Sequence, residues 1–270
     1  METTVHRFSL PAAALALLVL GACGRNDGDG VRTAAGGASA AAGKVDYWPM
    51  VAPLLAGSYA GDCMRLPQSE ALTGAAIALD EQGKLSAPDV SVDMRRAQLI
   101  QLGRETRAGT VKVSAMLSID SANGPVLTLN DEGRPDGASA VIMQSESQIS
   151  CGKGAPLQKL RGQPLYKVAS QVIEGSGRTL KCGNLKTRME WKDTPFKVEK
   201  GIVTLGAESF DLSRAEKESL MLTSEENQLA YSFSLPGRPL MYVFYDATGK
   251  VMSVEGRTEH ETTHACHIDA

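Results

Sequence analysis

Histidine is scarce in this 270-residue chain: there are four, and three of them (His260, His264 and His267) share one C-terminal segment. A Ser-His-Asp or Cys-His site would have to draw its base from that segment. No G-x-S-x-G elbow, phosphate-binding glycine loop, G-x-G-x-x-G or Cys-x-x-Cys pair occurs, which removes the usual signatures of hydrolases, nucleotide enzymes and thiol oxidoreductases. An excess of one charge is also missing. The 28 basic and 31 acidic residues leave a net charge of −3, with no basic face to neutralise phosphates, and nucleic acid is not expected as a partner. Aromatic residues make up only 5% of the chain. Beyond the N-terminal segment no run approaches the roughly 18 apolar residues of a spanning helix.

What the chain does have is apolar content for a core, at 43%, and one stretch that occurs twice. Glu81 to Ala97 reads EQGKLSAPDVSVDMRRA, and Glu199 to Ala215 reads EKGIVTLGAESFDLSRA. Laid over each other without a gap, the two share Glu81/Glu199, Gly83/Gly201, Ser91/Ser209, Asp93/Asp211, Arg96/Arg214 and Ala97/Ala215. Each copy is bracketed by cysteines at matching distances, Cys63 and Cys151 around the first, Cys182 and Cys266 around the second. The expectation is a tandem duplication.

The N-terminus carries a basic residue, Arg7, then an apolar run from Leu10 to Leu20 and the sequence Leu20-Gly21-Ala22-Cys23. This resembles the signal peptide and lipobox of bacterial lipoproteins. The resemblance covers only the leader, 1–22, and implies that Cys23 is lipidated (palmitate-type acyl chains) and becomes the first mature residue. Gly24 follows where an aspartate often retains lipoproteins in the inner membrane, so the resemblance implies an outer-membrane anchor facing the periplasm or the surface. Residues 23–44 are Gly, Ala, Ser and Asp with hardly a large side chain; they read as a flexible tether with a root-mean-square reach of about 25 Å.

Setting Cys23 aside leaves four cysteines in an exported chain, an even number suited to an oxidising compartment. Three pairings are open. The repeat favours Cys63–Cys151 and Cys182–Cys266, each clasping the first and last strands of one unit.

The body reads as short strands separated by Gly, Pro, Asn and Asp turns, with period-2 alternation at Val90/Val92/Met94 and Tyr231/Phe233/Leu235. The predicted fold class is all-β: two tandem antiparallel units, small barrels or sandwiches, each with one disulfide. The first unit spans 45–153, a connector 154–167, and the second unit 168–270. Val45 to Ala56, apolar with Pro49 and Pro53, is expected to dock on the first unit as an irregular or short helical segment; a partner-binding patch is the alternative. Ala140 to Cys151 and Lys250 to Cys266 each read as one terminal strand. The spacing predicts no long helix, with at most a turn at Arg95 to Gly103 and Ser213 to Leu222.

His260-Glu261-Thr262-Thr263-His264 is formally the H-E-x-x-H of zinc peptidases, with His267 close by. That motif needs a helix to put both histidines on one face. On the strand expected here, residues four apart are separated by about 13 Å. The threonines favour a strand, and no catalytic metal is assigned; His260, His264 and His267 remain loose metal candidates or a pH-sensitive patch. Asp93/Arg96 and Asp211/Arg214 are the charged pairs kept in both copies, read as ion pairs pinning a strand end, with a ligand-binding dyad as the alternative. Gly57-Ser58-Tyr59 is similar to the Gly-x-aromatic start of lipocalin-like barrels, which would imply a small apolar ligand. The expectation is a lipid-anchored envelope protein, a non-catalytic binding or structural module without cofactor, whose partners are the membrane, envelope proteins or a small apolar ligand. Two other readings compete with it: a zinc hydrolase at His260/His264, and an inhibitor of envelope hydrolases.

Overall fold

A computed structural model describes residues 47–120, 124–134, 137–152, 157–184, 191–224, 228–257 and 262–268. The leader, Cys23 and the tether lie outside the described residues.

The first half opens with α1 (Trp48–Leu55), then β1 (Gly57–Tyr59), β2 (Gly61–Leu66), β3 (Glu70–Ala71), β4 (Ile77–Leu79), β5 (Lys84–Ala87) and β6 (Val90–Asp93). A 3-10 turn, Met94–Arg96, leads into β7 (Leu99–Arg107), β8 (Thr110–Ser118), β9 (Val126–Asp131), β10 (Ala138–Gln144) and β11 (Ser147–Gly152). Three short helices follow: α2 (Gln158–Arg161), α3 (Leu165–Val168) and α4 (Ser170–Ile173). The second half holds β12 (Gly177–Asn184), β13 (Lys192–Glu199), β14 (Ile202–Leu205) and β15 (Glu208–Asp211), a 3-10 turn at Leu212–Arg214, then β16 (Lys217–Thr223), β17 (Gln228–Ser234), β18 (Leu240–Tyr245), β19 (Val251–Arg257) and β20 (Thr262–His267). The chain is all-β, as its alternation predicts.

All pairings are antiparallel, and sixteen strands form one ladder in the order β15-β14-β13-β12-β20-β19-β18-β17-β16-β7-β8-β9-β10-β11-β2-β3. The strands β1-β4-β5-β6 make a second, four-stranded sheet. Two separate barrels or sandwiches are therefore not what forms. The halves join edge to edge where β7 pairs β16, and the described residues make one compact unit.

Apart from β3, the strands of the two halves follow the same order. In the first, β1 pairs β4 and β2 pairs β11; in the second, β12 alone does both jobs, pairing β13 and β20. Repeat-equivalent residues are 118 apart (199 − 81), and at the seam Leu102 faces Leu220, its own equivalent (102 + 118). Both are fully buried.

The same offset carries the correspondence upstream, from Trp48 at the start of α1 to Tyr166 in α3. A Cβ on Gly83 would lie 3.2 Å from the Trp48 ring, and one on Gly201 would lie 3.0 Å from the Tyr166 ring. Both glycines have positive φ, +88° and +72°, which L side chains adopt only with strain. Each half thus seats an aromatic from its leading helical segment on a hairpin glycine. The Trp48 indole also donates to the Glu81 carbonyl at 3.0 Å. Of the segment 45–56, the described residues dock as expected: Trp48, Val51, Leu54 and Leu55 are buried in the core, and Pro49 and Pro53 stay exposed.

The segments read as single terminal strands are hairpins. β10 and β11 turn at Ser145, a non-glycine with φ 51°, a conformation no Gly or Pro announces. β19 and β20 pair likewise. The helices at 158–173 were not predicted, because four-residue helices are too short to show a 3.6 period.

Candidate functional site

The repeated stretch turns out to be a structural corner. Asp93 accepts from the Arg95 backbone N–H at 3.1 Å, and Asp211 from the Ser213 N–H at 3.0 Å, each capping the 3-10 turn that swings the chain into the seam strand. Met94 and Leu212 donate their N–H groups to the carbonyls of Gly83 and Gly201 at 2.7 and 2.9 Å, and Ala97 and Ala215 are buried. The expected ion pairs do not form: Asp93 pairs with Arg95 at 2.6 Å, and among the described residues neither Arg96 nor Arg214 makes an ion pair. Both arginines point outward beside a 3-10 turn whose cap has already taken the carboxylate.

Both expected disulfides are present. Cys63–Cys151 ties β2 to β11 and Cys182–Cys266 ties β12 to β20, with Cα atoms 4.1 and 4.0 Å apart. Cys182 and Cys266 are direct partners in the ladder.

His260 and Glu261 lie outside the described residues. His264 and His267 lie on β20, a strand, and three residues apart they face opposite sides of the sheet. The His264 Nε2 sits 2.9 Å from the Asn184 amide nitrogen; His267 packs against Trp191 with ring centroids 4.5 Å apart. The two imidazoles cannot meet one ion, and among the described residues no group of three or more His, Cys, Asp or Glu could hold a metal.

Two features were not expected from the sequence. The first is a buried carboxylate in the seam. Glu218 on β16 is 1% exposed and accepts from the Tyr166 N–H at 3.0 Å and the Tyr231 hydroxyl at 2.9 Å; Arg104 on β7, its ladder partner, lies 3.5 Å away. Burial pushes the carboxyl pKa up, while the four donors, including the Leu165 N–H, pull against it. Desolvation and the Glu218 charge both raise the Tyr231 hydroxyl well above its ordinary value. This network ties α3 to both halves. Its only trace in the sequence is a glutamate where Leu220 and Leu222 set an inward alternation.

The second feature is an open cleft of about 330 Å³ on the opposite face of the seam. Its floor is Gly103, Ser114, Asn130 and Ser219, which are successive ladder partners across β7, β8, β9 and β16. Gly103 leaves the floor open, since a Cβ there would meet the Ser114 hydroxyl at 2.7 Å. Glu132, Lys112, Glu105 and Lys217 form one wall, with Lys112 and Glu132 ion-paired, and Gln101 belongs to the other. The wall charges cancel, and hydroxyls and amides line the bottom.

Followed across the second half, the same row of ladder partners runs Ser219, Ser232, Tyr242, Glu255, Ala265 and Gly183. At its end Trp191, 44% exposed, lies over Gly183: a Cβ on that glycine would sit 3.0–3.2 Å from three atoms of the indole. Register decides which residues share this row, and register is set by turns and bulges that local pattern does not reveal. No family model matches the chain, and neither a curated protein nor a solved structure does.

Proposed function

We propose that this chain is a lipid-anchored cell-envelope protein, held by Cys23 in the outer membrane, whose β body descends from a duplicated unit and acts as a non-catalytic binding or structural module. The observation that carries the reading is the pair of disulfides, one in each half and both set in the core ladder. Such bonds persist in oxidising compartments and not in a reducing cytosol. They agree with the lipobox resemblance at Leu20 to Cys23. The duplication is supported by the shared 118-residue offset, the matching strand order and the Leu102–Leu220 pairing. The binding role is supported by the polar, charge-balanced cleft over the seam; in a carrier of a small apolar ligand the cleft would be lined by aliphatic and aromatic side chains. The zinc-hydrolase alternative needs two histidines one helical turn apart, and Thr262–His267 is a strand.

Metabolic labelling with an alkyne fatty acid, followed by membrane fractionation, tests the anchor. The chain should carry label and sediment with outer membranes, and Cys23→Ser should abolish both. An unlabelled wild-type chain in the soluble fraction would remove the proposal.

A further inference from the structure

We infer that the Trp191 end of the outer face is a saccharide-binding platform, which stacks one pyranose ring of a glycan on the indole and bonds its hydroxyls at the rim. The inference rests on the binding-module reading above and names its ligand class.

Three observations carry it. The indole is laid flat: Trp191 stands opposite Gly183 in the extension of the β12–β13 register, and a Cβ on that glycine would crowd three ring atoms at 3.0–3.2 Å and push the indole off the strand. A solvated tryptophan with no role would leave unexplained a glycine that is paired within β12, where glycine weakens a sheet. The platform is also stiff, because Gly183 and its partner Ala265 directly adjoin the bonded pair Cys182 and Cys266. The rim is polar on the same face. His267 sits at 4.5 Å from the indole, and the Lys181 ammonium is 2.7 Å from the Asp193 carboxylate.

That chemistry selects the ligand. A pyranose offers an apolar C–H face to an aromatic ring and a belt of hydroxyls to donors and acceptors around it, the same division of apolar body and polar edge that suits an exposed indole. Lys181 and Asp193 cancel, so the rim favours an uncharged ring over a phosphate or a carboxylate polymer. A protein partner fits less well, since a protein hot spot is surrounded by contacts that exclude water. Around Trp191 the face presents Lys181, Asp193, His267 and Ser253, while the other exposed large apolar residues among those described, Met64 and Met143, belong to the first half.

The test is calorimetric titration of the detergent-solubilised full chain with two probes, the β-1,4-linked trimer of N-acetylglucosamine and a glucose trimer. Saturable binding of either is expected, in the millimolar range. Binding of the acetylated trimer alone would place the acetamido group among the recognised features. Trp191→Ala should weaken binding at least about tenfold, a loss of about 1.4 kcal/mol. Trp191→Phe should retain most of it, and Gly183→Ala, which lifts the indole, should weaken it. Trp191 is exposed, so its replacement leaves the fold intact, as an unchanged thermal midpoint will verify. No saturable heat with either trimer, or equal binding by Trp191→Ala, overturns the inference. So does loss of an envelope-protein crosslink in Trp191→Ala without any sugar response. A labelled, membrane-bound chain that binds no sugar would sink this inference while leaving the anchored-module reading in place.

Discussion

On one side of the Leu102–Leu220 pair the seam holds Arg104 against Glu218; on the other, at the equivalent positions, it holds Ile100 against Leu222. The halves share a corner, a clasp and an aromatic seated on glycine, yet they differ at the line where they touch. A seam of two identical edges could pair either half with its own kind. With the charged pair present, β7 against a second β7 would set Arg104 opposite Ile100, and β16 against a second β16 would set Glu218 opposite Leu222. Each homotypic pairing would bury a charge without a partner, which is costly. The lopsided seam therefore favours the pairing seen, at the expense of stability that two apolar pairs would supply.

The comparison can be broken most forcefully at the clasps. The bridges span 88 and 84 residues, so loop closure predicts the same loss for either, about 4–5 kcal/mol in the chain-entropy model. Cys63→Ser/Cys151→Ser and Cys182→Ser/Cys266→Ser should lower the denaturation midpoint equally. Unequal losses would show that the halves differ in native packing around the bridge and not in chain entropy.

The seam itself comes next. Arg104→Leu alone leaves Glu218 buried and unpaired and should cost about 3–5 kcal/mol, read from urea denaturation. Arg104→Leu/Glu218→Ile, which copies the apolar pair across the axis, should recover most of that loss or exceed the wild type. If the double variant is as poor as the single one, the asymmetry is not where the charge pair sits.

These predictions rest on residues of unequal legibility. The clasps and the hairpin before each corner were readable because they lie in local pattern: matched cysteine spacing and a turn glycine. The seam was not, because a ladder between residues more than a hundred positions apart leaves no local mark. Arg96 and Arg214 were misread for the opposite reason. Their recurrence is visible in sequence, but the capping geometry that occupies Asp93 and Asp211 is not. The row from Gly103 to Gly183 needs the register of several hairpins at once, and so the outer-face cleft stayed hidden.

A smaller effect separates the seam from the corners by the sign of their pH dependence. The Glu218 carboxyl has its folded pKa raised by burial, so the folded state holds the proton more tightly than the unfolded chain does. Its contribution to stability is present below the ordinary carboxyl range and is lost as pH rises through the folded value. Glu218→Gln should flatten that slope between pH 4 and neutrality, roughly the window above the ordinary value of about 4.3. A slope unchanged by the substitution would place the titrating group elsewhere, and the neighbours facing Glu218 are Arg104, Tyr166 and Tyr231.

The corners should respond with opposite sign and least amplitude. Asp93 is held below its ordinary range by its hydrogen bond to the Arg95 side chain first, and Asp211 by its bond to the Ser213 side chain first. Both contributions are present above about pH 4 and fade as acid protonates the folded carboxyl. Asp93→Ala should lower the thermal midpoint by roughly 2–4 °C, the loss of one cap. Asp211→Ala should match it, even though Asp93 also has the Arg95 ion pair, because that guanidinium is 60% exposed and a surface ion pair contributes little. If Asp93→Ala costs clearly more, the Arg95 contact does more than decorate the cap, and the equivalence of the two corners fails at Arg95 against Ser213, where a charged side chain replaces a hydroxyl.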